Sequence, residues 1–189
     1  MRESIRPGGR SARVQGAVHK AVNELIAELG RDALTIPLIA ERAGVTPSTI
    51  YRRWGCLGEV LADVALQAMR PETPPLDTGS LRGDLLAWAE QYQDEISSRP
   101  GRAMIRDAIG ATSESHAGRC AGLLAAQLAV IRERAEQRGE TPPPVDLMQD
   151  LIVAPIVFHV LFDDKPTDES FCARLIARLL DRTPPRGDL

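Results

Sequence analysis

The stretch GVTPSTIYRRW, residues 44–54, sets a glycine, a threonine and a proline ahead of a short polar segment. Thr46 is a favourable helix N-cap, and Pro47 then takes the first helical position, where its missing N–H costs nothing. Ile50 and Trp54 stand four apart and share a buried face. Ser48, Thr49, Tyr51, Arg52 and Arg53 are left for the outside or the flanks. Just upstream, Thr35 caps a second short helix and Pro37 is tolerated in its first turn. Ile36, Ile39, Ala40 and Ala43 supply its inner face; Gly44 ends it and Val45 points back as a plug. Two short helices joined through AGVT form a helix-turn-helix pattern.

That pattern suits duplex DNA. A helix N-terminus presents unpaired amides to a phosphate oxygen. Small residues at its start allow close approach to base edges in a major groove, where Ser48 and Thr49 have hydrogen bonds or methyl contacts to offer. Tyr51, Arg52 and Arg53 have the reach for phosphates, and one of the arginines has the reach for a guanine. The same residues also fit a plain helical hairpin with a solvated basic face.

The surroundings support a polyanion partner at this end of the chain. Residues 1–56 carry nine Lys or Arg against five Asp or Glu, a charge of +4, whereas residues 71–189 carry a charge of −6. A basic front on an acidic body places the polyanion at the front. Residues 1–11 read as a flexible basic arm, with Pro7, Gly8 and Gly9 discouraging regular structure. Arg2, Arg6 and Arg10 carry its charge toward the backbone or the adjacent minor groove.

The rest of the chain reads as helices. Apolar residues make up 43% of the 189 and aromatics only 4%, which favours helices packed through aliphatic side chains. Ser11 is placed to cap a first helix carrying Val14, Val18, Ala21, Val22, Leu25, Ile26 and Leu29 at helical spacing, with Gly30 at its exit. A fourth helix covers 57–69. PETPPLDTG (71–79) is a joint. Further helices are expected over 80–98, 102–112, 117–138, 147–162 and 168–181, with a turn at Pro100 and Gly101. Nothing reads convincingly as a strand, although VAPIVFHVLF is rich in β-formers and Pro155 would kink a helix there. No apolar run approaches the roughly 18 residues of a membrane span. Cys56, Cys120 and Cys172 are odd in number and far apart, as for free thiols in a reducing compartment. His116 and Cys120 lie four apart but lack two further metal ligands nearby, so neither metal nor cofactor is expected.

Residues 34–61, LTIPLIAERAGVTPSTIYRRWGCLGEVL, resemble the DNA-binding region of the TetR family of transcriptional regulators. The resemblance rests on Ile39-Ala40, Ala43-Gly44-Val45, Thr46, Thr49-Ile50-Tyr51, Arg53, Trp54, Glu59 and Leu61, and extends over about residues 12–65. It implies an all-α protein of about nine helices. A three-helix DNA-binding domain (12–56) would be followed by a connecting helix (57–70), a linker (71–79), a larger effector-binding and dimerisation domain (80–182) and a tail (183–189). It also implies a cytoplasmic, non-enzymatic repressor, a homodimer on a palindromic operator in double-stranded DNA, released by a small molecule. Residues 47–53 would form the recognition helix, with Thr46 and Tyr51 on phosphates and Pro47, Ser48, Thr49 and Arg52 facing or flanking bases. Together with Arg6, Arg10, Thr35 and Arg53, these are the candidate DNA-binding residues. Members commonly carry a small polar residue and then a phosphate-binding lysine at the start of the fourth helix. Here Cys56 and Leu57 stand in those places, which removes one ionic anchor; Arg6, Arg10 and Arg13 are the candidates to replace it.

The resemblance implies a cavity in the larger domain without selecting its side chains. Trp88, Tyr92, Met104, Ile105, Ile109, Leu124, Leu128 and Phe158 are the candidates for a largely apolar effector, although such residues at helical spacing equally fill a core. Trp88 and Tyr92 stand one turn apart, and each brings a polar handle. The helices at 147–162 and 168–181 are the candidate dimer interface, through Val153, Ile156, Phe158, His159, Phe162, Phe171, Leu175 and Leu179. Two other classes stay open at this point. One is a helical interaction module of the same fold with weak or no DNA binding. The other is a small helical enzyme, against which stands the absence of paired carboxylates, a Ser/His/Asp set or a glycine-rich phosphate cradle.

Overall fold

A computed structural model describes residues 8–70, 73–110, 114–163, 168 and 170–181; for Arg10, Ile109 and residues 114–117 it describes the backbone only. Every regular element among the described residues is a helix, and none is a strand. The helices are α1 (Gly8–Leu29), α2 (Ile36–Ala43), α3 (Pro47–Trp54), α4 (Leu57–Ala68), α5 (Leu81–Ser97), α6 (Arg99–Gly110), α7 (Glu114–Gln137), α8 (Val145–Met148), α9 (Ala154–Phe162) and α10 (Phe171–Asp181). A π turn, Gln149–Val153, fuses α8 to α9, so these residues build nine helical rods plus a 3-10 turn at Arg31–Ala33.

Two apolar clusters organise the rods. The head cluster is built by Val18, Val22 and Leu25 of α1, Ile36 and Ile39 of α2, Ile50 and Trp54 of α3, and Val60, Leu61 and Val64 of α4. The body cluster gathers Leu85, Trp88, Tyr92 and Ile96 of α5 with Leu128 and Ile131 of α7, Met148, Ile152 and Ile156, and Leu175 and Leu179 of α10. Helix α4 spans both. It is buried continuously over residues 59–66 and packs against α6 of the body as well as against α1 and α3 of the head.

Two boundaries differ from the sequence reading. Helix α1 begins at Gly8, so Ser11 lies inside it instead of capping it, and Gly8 and Gly9 are helical. Extension of a helix already nucleated downstream is cheap enough to carry two glycines. Pro100 and Gly101 are not a turn but part of the first turn of α6. Ser98 caps that helix, its hydroxyl accepting from Gly101 N at 3.0 Å. The β-rich segment at 154–162 is helix, and the π turn sits directly ahead of Pro155, whose missing N–H already interrupts the α ladder. Residues 145–162 also reach 18 residues at a mean hydropathy of 1.7, long and apolar enough by composition to cross a bilayer. In the fold this run packs against α5, α7 and α10.

Ion pairs tie the parts together. Arg42 of α2 grips Glu28 of α1 through two bonds of 2.8 and 2.7 Å. At the far end of the body, the fully buried Asp84 accepts from Thr78 N at 2.7 Å and from Arg138 at 2.8 Å. Burial pulls the Asp84 carboxyl upward, but those hydrogen bonds and the guanidinium outweigh it and hold it below the usual carboxylate range.

Candidate nucleic-acid interface and effector cavity

The turn between α2 and α3 follows from its sequence. Thr35 Oγ1 accepts from Leu38 N at 3.3 Å and caps α2. Gly44 closes the helix in the left-handed region (φ 66°, ψ 33°), and Val45 N returns to Ala40 O at 3.0 Å. A residue with a Cβ is strained at that φ, so glycine is the natural C′ residue here.

Helix α3 keeps Ile50 fully buried and Trp54 nearly so, while Thr46, Pro47, Ser48, Tyr51, Arg52 and Arg53 are exposed and Thr49 half-buried. The cap differs from expectation. Thr46 makes no side-chain bond to the helix amides. Its hydroxyl lies 2.9 Å from both Ser48 Oγ and Thr49 Oγ1, joining three hydroxyls at the mouth of α3. The two arginines also part company. Arg53 donates to the Ser11 carbonyl and hydroxyl at 2.8 and 2.7 Å and to Gln15 Oε1 at 3.1 Å, and its guanidinium lies over the Trp54 ring. Arg52 has no hydrogen bond or ion pair among the described residues. Leu57 packs against the head cluster, which occupies the position of the missing lysine with an apolar contact. Arg6 lies outside the described residues; Arg10 falls in the first turn and a half of α1, with only its backbone described.

Beneath α3 sits a buried polar node. Asp63 of α4 accepts from Gln15 Nε2 at 2.7 Å and Trp54 Nε1 at 3.1 Å, with His19 Nε2 at 2.9 Å. Burial pushes this carboxyl up, but the hydrogen bonds from His19, Trp54 and Gln15 outweigh burial and hold it well below the usual carboxylate range. Arg119 of α7 approaches the same carboxylate at 3.6 Å. One side chain thus fixes the Trp54 brace, two positions of α1 and a contact from the body. Sequence reading missed it: Asp63 is one of two acids in an apolar helix, and its hydrogen-bond partners are 9 to 48 residues away.

In the body, a cavity of about 630 Å³ opens between the end of α4, Thr73, Pro74 and Pro75, α5 and α7, lined by Met69, Arg70, Trp88, Gln91, Glu95 and Gln127 among others. A narrow chamber of about 50 Å³ adjoins it, reaching Tyr92, Ile96, Met104 and Leu124. Trp88 and Tyr92 stack with centroids 5.4 Å apart, and Trp88 Nε1 donates to Gln127 Oε1 at 2.9 Å. The Tyr92 hydroxyl is buried with no partner among the described residues. Burial first, and then the nearby Cys120 and Glu95, push its ionisation up, so it stays a donor. Of the predicted effector residues, Trp88, Tyr92, Met104 and Leu124 meet here. Ile105 and Leu128 belong to the packed core, the side chain of Ile109 lies outside the described residues, and Phe158 is 58% exposed on the outer face of α9, away from the cavity. Among the described residues no three His, Cys, Asp or Glu side chains gather as a metal site requires.

The predicted interface residues divide as well. Val153, Ile156, Phe171, Leu175 and Leu179 are buried inside the protomer and close its own core. Phe158 and Phe162 lie outside, at 58% and 74% exposure, with ring centroids 5.4 Å apart; His159 bridges edge-on between Phe158 and Phe171.

Residues 20–56 match the family model for bacterial regulatory proteins of the tetR family, and residues 75–179, more than half the chain, match that for the tetracyclin repressor-like C-terminal domain. The chain belongs to the TetR family. Its relatives include the uncharacterized HTH-type transcriptional regulator YdeS of Bacillus subtilis, 30% identical over 182 residues, covering 92% of this chain and 91% of that protein. The crystal structure of the TetR family transcription regulator SCO0332 is 28% identical, with a TM-score of 0.64 over 92% of this chain and 100% of that one. Thermus thermophilus FadR, a TetR family repressor solved in complex with lauroyl-CoA, shares the fold at 16% identity, with a TM-score of 0.57 over 92% of this chain and 100% of that one. As a TetR family member the protein is a cytoplasmic, non-catalytic, sequence-specific DNA-binding regulator whose repression a ligand modulates.

Proposed function

We propose that two protomers present α3 to successive major grooves of a palindromic operator. Ser48, Thr49 and Arg52 address base edges and Pro47 packs beside them, while Thr46 and Tyr51 hold phosphates. The observation that carries this reading is the division within α3: Ile50 and Trp54 are sunk in the head, and Arg53 is tied back to α1. The hydroxyl cluster and Arg52, which has no partner among the described residues, remain at the surface. Selection of bound sequences from a random DNA pool tests it. A two-fold symmetric site is expected, with affinity falling as salt rises because counterions are released. A selected pool without symmetry, or a site whose affinity is unchanged in Ser48→Ala and Arg52→Ala, counts against it.

The dimer we assign to the outer faces of α9 and α10. Ala154, Phe158 and Phe162 recur every four residues along one exposed row of α9, and Ala173 and Ala177 stand four apart on the outside of α10. Two rods from each protomer make a four-helix seam. Sedimentation of a Phe158→Glu, Phe162→Glu variant is expected to report a monomer; an intact dimer removes this face from the interface.

The effector we place in the α4–α5–α7 cavity, with a hydrogen-bond acceptor on the Tyr92 hydroxyl and an apolar body against Met69, Trp88 and Leu124. It acts by preferring one arrangement of α4 over another, and lowers operator affinity by that difference in affinity.

A further inference from the structure

A second opening lies on the other side of α4, where the head meets the body. This crevice of about 480 Å³ has apolar walls: Ile26 of α1, Leu61, Val64 and Ala65 of α4, and Pro100 and Met104 of α6. Its size falls within the range of pockets that take small molecules. Three charged side chains line it, Arg31, Glu95 and Asp107. Arg31, on the 3-10 turn after α1, spans the gap to Asp107 of α6 with a two-pronged pair, Nε to Oδ2 at 3.1 Å and the terminal amino group to Oδ1.

The two partners of that pair are not equally placed. The Asp107 side chain is 9% exposed and the Arg31 side chain 45%. Arg31 therefore has water to return to, whereas the carboxylate left without it would be nearly buried and uncompensated, which is costly. A replacement cation avoids that cost. A neutral ligand can offer either carboxylate a hydrogen bond but no compensating charge, and an anionic one meets both Glu95 and Asp107.

We propose that this crevice is a second small-molecule site, selective for a lipophilic monocation. The apolar body lies against Val64 and Met104, and the cationic head takes the place of Arg31 on Asp107 with Glu95 close by. Binding there unties the head from α6, so it bears directly on the geometry of α3. The site shares Ala68, Glu95 and Met104 with the effector cavity but engages neither Tyr92 nor Gln127. Its existence does not depend on how the operator is read.

The test is calorimetric titration of the intact protein with three probes of one skeleton, phenylbutylamine, phenylbutanol and phenylbutyrate. The amine is expected to bind about tenfold or more tighter than the other two, the ordinary worth of one partly buried charge pair. Asp107→Asn is expected to abolish that preference. Arg31→Ala, which removes the competing cation, is expected to tighten amine binding several-fold, and Tyr92→Phe to leave it unchanged. A purely structural role for the Arg31–Asp107 pair predicts that both substitutions weaken binding alike. The proposal is overturned if the alcohol or the acid binds as well as the amine, or if none of the three binds at millimolar concentration. It is also overturned if Arg31→Ala weakens the amine, or if the amine is lost in Tyr92→Phe and kept in Asp107→Asn.

Discussion

Arg53 and Ser11 are 42 residues apart in the chain, yet the Arg53 guanidinium donates to both the Ser11 carbonyl and its hydroxyl. The last turn of α3 is thereby fastened to the first turns of α1. Adjacent in sequence, Arg52 and Arg53 do different work. Arg53→Ala is expected to destabilise the protein by roughly 1–2 kcal/mol, through the lost bonds and the lost stacking on Trp54. Arg52→Ala is expected to leave the melting temperature nearly unchanged, as surface substitutions do, while weakening operator binding about tenfold. Thermal melts and fluorescence anisotropy on the same two variants check the division. Equal melting temperatures refute the structural role assigned to Arg53.

The Asp63 node gives the head a pH dependence with a defined sign. Its carboxyl is held below its unfolded value, so the stability it confers is present above about pH 4, where the unfolded group is ionised, and is lost as pH falls further. Asp63→Asn is expected to cost roughly 1–3 kcal/mol near neutrality, because it removes a charged acceptor shared by three donors. The gap between variant and wild type should hold steady down to about pH 5 and close below pH 4. A gap that widens in acid contradicts the depressed carboxyl.

Gly101 is where α5 and α6 come closest. A Cβ there would stand 2.0 Å from the Glu95 carbonyl oxygen and 2.7 Å from the Ile96 Cα, both backbone atoms that cannot swing aside. Gly101→Ala is expected to destabilise by about 1–3 kcal/mol despite alanine's better helix propensity. Gly122, in the middle of α7 with open space around it, provides the contrast: Gly122→Ala should stabilise by about 0.5–1 kcal/mol. Chemical denaturation of the two variants should move the midpoints in opposite directions.

The Tyr92 hydroxyl is buried and has no hydrogen-bond partner among the described residues. Such a group costs stability, so Tyr92→Phe is expected to raise the melting temperature of the free protein, by the equivalent of about 1 kcal/mol. The same change should blunt release from the operator by the natural effector, since it removes the donor that recognises it. A variant that melts lower and responds normally would show the hydroxyl to be satisfied and idle.

Much of the head was legible because its signals are local. Thr35 as a cap, Gly44 as a left-handed terminator, and Ile50 with Trp54 as the buried pair each follow from residues within one or two turns. The differences turn on side-chain and backbone contacts that apolar spacing does not encode. Thr46 spends its hydroxyl on Ser48 and Thr49 instead of the helix amides, and Arg53 is claimed by α1, neither of which periodicity can reveal. The sequence makes Pro100 and Gly101 a turn, although what fixes Gly101 is the backbone of Glu95 and Ile96 just upstream. In the body, apolar spacing identified Trp88, Tyr92 and Leu124 correctly as inward-facing. It could not separate core from cavity, nor tell that Ile156 and Leu175 turn into their own protomer while Phe158 and Phe162 turn out.

The π turn ahead of Pro155 sets the register in which α9 continues from α8. Met148, Ile152, Ile156 and Val160 are all buried and follow one another at intervals of four. In a helix of ordinary pitch each such step overshoots a full turn by about 40°, so the row would wind around the rod. The wider π turn takes up the slack once, between Met148 and Ile152; beyond it both rows follow ordinary α pitch. Over its two steps the outer row from Ala154 to Phe162 drifts by about 80°, less than a quarter turn. The two phenyl rings therefore stay on one side of the rod, 5.4 Å apart, as a short flank for a second protomer to lie against.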